Sequence, residues 1–197
     1  MGDGASRTSV VAAVVISGTR CEQPCHCDTA VAVLRSGVVS DVVVFGRRCH
    51  AGPALDEGMV FEAASLTKPL FARFVICLSL DGLLDLDASF MSGEFIESSA
   101  DARLGQLTPV MVLTHTTGLA NWRRPGQRLE LVSPPGTPGY SGEAFKLLLD
   151  ALRSRLGNGI EVMLERLLGG LGMANSSFLW RSDYEGRSRL VTAPMAR

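Results

Sequence analysis

The sequence has no surplus of positive charge: 19 Lys and Arg stand against 20 Asp and Glu, a net charge of −1. Binding a phosphate backbone requires clustered cations that release its counterions, so nucleic acid is not an expected partner. Long apolar runs are also lacking, and none reaches the ~20 residues of a membrane-spanning helix. Histidine is scarce, three in 197 residues. The motifs of the commoner enzymes are absent: no G-x-S-x-G elbow, no H-E-x-x-H, no P-loop, no G-x-G-x-x-G. A Ser-His-Asp triad would have to recruit His26, His50 or His115, and none has a supporting context. What remains is ordinary globular material, 46% hydrophobic and 20% charged, enough for a substantial core.

Cysteine gives little more. Four of the five come early, at Cys21, Cys25, Cys27 and Cys49, with His26 and His50 beside two of them. A structural zinc site shows two short paired spacings, and these are irregular, so no metal or other cofactor is expected. They read as reduced, incidental thiols, which points to a cytoplasmic protein. The alternative is a periplasmic or secreted protein, with Arg7 and "SVVAAVVISG" as a weak signal core. Asp3, the shortness of the run and the poor cleavage site in "SGTRC" argue for a first strand or a disordered lead instead.

Along the chain, "TAVAVLRSGVVSDVVVFGRR" reads as a β-hairpin turning at Arg35-Ser36-Gly37. From Ser65 to about Leu80 the pattern is helical. Leu66, Leu70, Phe74, Cys77 and Leu78 share the expected apolar side, and Asp81-Gly82 is the stop. "TPVMVLTHTTGL" reads as a short helix with Thr108 as N-cap, Pro109 in the first position and Gly118 as the stop. Residues 121–139, punctuated by proline and glycine, are a surface loop. "EAFKLLLDALRSRL" and "IEVMLERLLGGLGM" are two further helices separated at Gly157-Asn158-Gly159. One hairpin followed by helices is an α+β pattern with too few strands to stand alone.

One tetrapeptide carries chemistry. In "FEAASLTKPLFARF", Ser65 and Lys68 lie three apart at a helix start. That spacing sets both side chains on one face, with Cβ atoms roughly 5–6 Å apart. A hydroxyl becomes a nucleophile when a base takes its proton. Lysine does so where burial or neighbouring positive charge destabilises its ammonium. The helix N-terminus and the apolar flanks Leu66, Leu70 and Phe71 favour that, and the serine N–H there would face a developing oxyanion. The competing reading is plainer: Ser65 caps the helix and Lys68 is solvated.

Four segments in order, "FEAASLTKPL", "LTHTTGLANW", "PPGTPGYSGEAFKLL" and "GLGMANSSFLW", resemble the serine β-lactamase-like family. That family groups class C β-lactamases, DD-peptidases and related esterases, and Ser-x-x-Lys is its nucleophile motif. The likeness runs from about Thr29 to Tyr184. It implies the N-terminal part of a β-lactamase/transpeptidase-like fold over residues 29–197, behind a lead at 1–28. It implies Ser65 as the acylated nucleophile, Lys68 as the base in a proton network, and Tyr140 of "YSG" as a second acid/base. The implied substrate is a small ester or amide, cleaved through an acyl-serine. Gly142 replaces an asparagine usual in class C enzymes and removes a side-chain amide, which favours an esterase. The same likeness makes His115 a structural residue satisfying carbonyls at a helix end.

The family's third motif, Lys-Thr-Gly or His-x-Gly on a later strand, is not found after Trp180. The resemblance therefore implies missing C-terminal strands, a truncated site and an open sheet edge beside the hairpin, available to a second copy of the chain. A non-catalytic remnant or interaction module is the alternative function. Gly169-Gly170 stands where the family has proline, a pairing expected to loosen that junction.

Overall fold

The structure is a computed structural model that describes residues 11–18, 28–45, 60–91, 101–157 and 159–184. The cluster Cys21, His26, Cys25, Cys27, Cys49 and His50 lies outside the described residues, as do most of the loop at 51–60 and the tail beyond Tyr184. The chain divides into two compact units, one of Met1–Ala64 with Trp180–Arg197, the other Ser65–Leu179.

In the first unit the Val-rich stretches form an antiparallel sheet, β1 (Val11–Gly18), β2 (Asp28–Arg35) and β3 (Val38–Phe45), in that order. The expected hairpin is therefore two of three strands. Its loop is the dipeptide Ser36-Gly37, both at positive φ (50° and 80°), the turn whose twist matches the flanking strands. The pairing slips between Val33 and Leu34, where Ser40 is the extra residue and its hydroxyl donates to Val33 O. Among the described residues β3 has β2 as its sole strand neighbour, and Val38, Val39, Val42 and Val43 are exposed.

The second unit is helical. A 3₁₀ turn at Ala64–Leu66 runs into α1 (Thr67–Leu80); α2 is Pro109–Leu113, α3 Gly142–Leu156 and α4 Gly159–Gly170. Helix α3 packs on α2 and α4, and α1 on α4. The core gathers Phe71, Phe74, Val75 and Leu78 of α1, Val112 of α2, Leu147, Leu148 and Leu152 of α3, and Ile160 and Leu164 of α4. The buried stripe of α1 keeps Phe74 and Leu78 of the expected side but is turned from it. Leu66 is exposed and Cys77 is half-buried, while Phe71 and Val75 face inward. The helix carries apolar residues on every side, so its periodicity does not select a face; packing does.

The starts and stops follow their chemistry. Thr108 caps α2 by accepting from Met111 N–H, with Pro109 in the first position. Ser141 caps α3 through Ala144 N–H. At the end of α1, Gly82 at φ 71° donates to Ser79 O, and Leu83 N–H to Leu78 O, a Schellman closure. Helix α4 closes the same way through Gly172 and Met173, with Gly169 O accepting from Gly172, so the paired glycines there belong to a hydrogen-bonded helix end.

Helix α2 departs from expectation. It ends at Leu113, five residues before Gly118. The left-handed position of its closure is filled by His115 at φ 55°, with His115 N–H on Val112 O and Thr116 N–H on Met111 O. Gly118 does other work. At φ 80° it passes so close to the returning loop that a Cβ there would lie 2.2 Å from Ser133 O. Its own carbonyl accepts from Val132 and Ser133 N–H, and Leu119 bridges Leu131. The loop at 121–139 is accordingly ordered against residues 115–119, with Gly136 N–H on Thr116 O and Gly139 N–H on His115 O.

Candidate active site

Ser65 lies in the 3₁₀ turn before α1, and its side chain does not cap the helix; Leu66 is the capping residue and offers no side-chain hydrogen bond. The exposed Ser65 hydroxyl instead accepts from Lys68 Nζ at 3.1 Å and from the Tyr140 hydroxyl at 2.8 Å. Lys68 is half-buried, its ammonium 5.0 Å from the Tyr140 ring centroid and 5.5 Å from that of Phe145. The plainer reading, a capping serine with a solvated lysine, thus gives way to a convergent trio. The three residues singled out in the sequence, Ser65, Lys68 and Tyr140, meet at one oxygen atom.

The trio has a definite electrostatic bias. The Lys68 ammonium first, and then the hydrogen bond with Ser65, hold the Tyr140 phenol below its ordinary value of 10.0. Between two hydroxyls the direction of a hydrogen bond follows the protons: neutral Tyr140 donates to Ser65, and ionised Tyr140 accepts from it.

Tyr140 reaches Ser65 from 75 residues away, so its placement depends on a tertiary support. The segment at 120–123 is laced to the start of α3. Ser141 Oγ donates to Ala120 O at 2.8 Å, Gly142 N–H to Asn121 Oδ1 at 2.9 Å, and Glu143 N–H to Asn121 O at 2.8 Å. Buried Glu143 accepts from Arg123 Nε at 2.7 Å and from its backbone N–H at 3.3 Å. Between these ties the Trp122 ring lies over Gly142, where an added Cβ would meet it at 2.4 Å. Gly142 therefore presents no side chain, and an exposed indole occupies that space. Sequence reasoning passed over Asn121 and Trp122; the signal for them was their place in "LTHTTGLANW", directly after the glycine turn.

His115 is half-buried beside the trio, its ring 4.5 Å from that of Tyr140 and 5.2 Å from that of Phe145. It stands at the end of α2 as expected, but its side chain makes a different contact. The ring does not turn back to the carbonyls of α2; its Nδ1 accepts from Ser141 N–H at 3.2 Å. Burial, and then the Lys68 charge, hold the imidazole below its ordinary 6.5. Among the described residues no group of acidic, His or Cys side chains is placed to hold a metal, and no helix is long and apolar enough to cross a membrane.

A family model described as Beta-lactamase matches residues 28–194. A comparison with curated proteins found no match. Among solved structures, a class C beta lactamase is similar at 22% identity and a TM-score of 0.62, covering 82% of this chain and 48% of that one. Another class C beta-lactamase, in complex with cefoxitin, is 22% identical at a TM-score of 0.64, with 82% and 49% covered. A beta-lactamase/D-alanine carboxypeptidase from Yersinia pestis, complexed with citrate, is 18% identical at a TM-score of 0.60, with 91% and 53% covered. These likenesses concern the fold, and the chain spans about half the length of the structures it matches. With the mixed helix-and-strand architecture and a family match over most of its residues, the chain belongs to the β-lactamase family.

Proposed function

We propose that this protein is a serine hydrolase that cleaves a small ester or amide through an acyl-enzyme on Ser65. The observation that carries the reading is the shared oxygen: Ser65 Oγ lies 3.1 Å from Lys68 Nζ and 2.8 Å from the Tyr140 hydroxyl. Lys68 favours the Tyr140 phenolate, and in that form Tyr140 takes the Ser65 proton as Oγ attacks the substrate carbonyl carbon. The tetrahedral adduct collapses, the bond to the leaving group breaks, and Tyr140 returns the proton to the departing alcohol or amine. Water then attacks the acyl carbon and gives a proton to Tyr140; the bond to Ser65 Oγ breaks, Oγ takes that proton back, and the carboxylic acid leaves. Esters suit the site better than β-lactams. Gly142 offers no amide to hold a lactam side chain, and Trp122 fills that space.

The test is covalent. Folded protein incubated with a fluorophosphonate serine probe should gain one adduct, mapped to the Ser65 peptide and lost in Ser65→Ala. A chromogenic short-chain ester should be hydrolysed faster than a chromogenic cephalosporin. Tyr140→Phe should lower kcat by about 10²–10⁴, the usual contribution of a general acid–base group. Folded protein that leaves Ser65 unlabelled would sink the enzyme reading and favour a non-catalytic interaction module on the same fold.

A further inference from the structure

His115 occupies a costly position. Left-handed backbone suits glycine, and a side chain there is tolerated where its surroundings compensate. Helices α1 and α4 close in the same Schellman geometry and use Gly82 and Gly172. Helix α2 uses a histidine, and its three compensating contacts all fall on one short segment. The His115 carbonyl accepts from Gly139 N–H at 2.7 Å. Its Nδ1 accepts from Ser141 N–H at 3.2 Å. Its ring face lies against that of Tyr140, the residue between them.

From this bracket we infer that His115 is a positioning residue: through its unprotonated Nδ1, its carbonyl and its ring face, it aims the Tyr140 hydroxyl at Ser65. The inference rests on the acid–base role proposed for Tyr140. Glycine would end the helix with less strain but could neither accept from Ser141 nor bear on the tyrosine ring. The charged and titratable groups brought to the imidazole are Lys68 from α1 and Tyr140 from the segment before α3, while α3 contributes the uncharged Phe145. Protonation would convert Nδ1 from acceptor to donor against the Ser141 N–H and set a second positive charge beside Lys68. The aim of Tyr140 is therefore lost in acid. The sign is fixed by the depressed imidazole: its contribution to stability is complete above 6.5 and is lost as pH falls through the folded-state value.

Two variants separate positioning from mere packing. His115→Phe keeps a ring and removes the acceptor. His115→Asn sets an amide oxygen at the place of Nδ1 and tolerates left-handed backbone. With a chromogenic ester, His115→Phe should lose about tenfold or more in kcat with KM little changed, since small misplacements of a reacting group cost that much. His115→Asn should recover most of kcat, and its acid limb should keep only the Tyr140 ionisation, without the part that follows the His115 ring in wild type. Wild-type kcat in His115→Phe, or a wild-type acid limb in His115→Asn, would overturn the inference. A readout without turnover keeps it separable from the hydrolase proposal. In a Tyr184→Phe background, Tyr140 is the remaining tyrosine and its ionisation is followed by ultraviolet absorbance. His115→Phe should return that ionisation toward the ordinary value, and in wild type the Ser141 amide resonance should titrate with the His115 ring. Their absence overturns the positioning role; their presence in a protein that turns over no ester overturns only the hydrolase reading.

Discussion

Replacing Gly118 by alanine perturbs one carbon atom and tests how the loop at 121–139 is held. Two costs arise. The left-handed backbone at φ 80° disfavours any side chain, by about 1–2 kcal/mol. The new Cβ would also fall 2.2 Å from Ser133 O and 3.2 Å from Pro134 C, so the loop backbone must retreat. That retreat weakens the two bonds Gly118 O accepts from Val132 and Ser133, each worth about 0.5–1.5 kcal/mol net. The sum is about 2–5 kcal/mol. Gly126 is the control: its φ is 77°, and nothing lies within 4 Å of a Cβ built on it. Gly126→Ala should therefore show the backbone cost alone, about 1–2 kcal/mol. Equilibrium denaturation of the two variants, compared by midpoint at unchanged slope, reads the difference. If Gly118→Ala loses no more stability than Gly126→Ala, the close approach to Ser133 does not hold the loop and the reasoning fails.

Two further outcomes follow from the start of α3. Ser141→Ala removes a cap to Ala144 N–H and strands the carbonyl of Ala120, and should cost about 2–3 kcal/mol in chemical denaturation; a loss under 0.5 kcal/mol would show that water replaces both bonds. Gly142→Ala should change stability by less than about 1 kcal/mol, because alanine favours the helix and Trp122, 60% exposed, is free to swing away. In a Trp180→Phe background the emission of Trp122 should shift to the red, and an unchanged spectrum would place the indole elsewhere.

Local chemistry made much of the fold legible. The Ser36-Gly37 turn, the Thr108 cap with Pro109 behind it, and the stop at Asp81-Gly82 each depend on a few adjacent residues, and each is where the sequence puts it. The failures share a cause. The buried face of α1 is only partly legible, at Phe74 and Leu78, because Leu66, Leu70, Phe71, Phe74, Val75 and Cys77 make the helix apolar around its circumference. Its inner side is decided by what α3 and α4 bring against it. The sequence points to Gly118 as the end of α2 because glycine is the cheap left-handed residue. His115 takes that conformation because Tyr140 and Ser141, some 25 residues on, compensate it. For the site, the spacing of Ser65 and Lys68 was readable as a pair on one face. Tyr140 entered through resemblance to a family, since no local pattern connects residues 75 apart.

That separation has a consequence for how the protein matures. Helix α1 and the Ser65–Lys68 pair use neighbouring residues, whereas bringing Tyr140 to Ser65 requires the intervening chain to close a long loop. Until α3 docks, Ser65 carries an ordinary alcohol that no phenol attends. A chain still emerging from the ribosome, or one that has shed α3, would carry the Ser65–Lys68 pair without the phenol that the proposed chemistry needs. If the proposed acylation holds, labelling of Ser65 would report that Tyr140 has reached it.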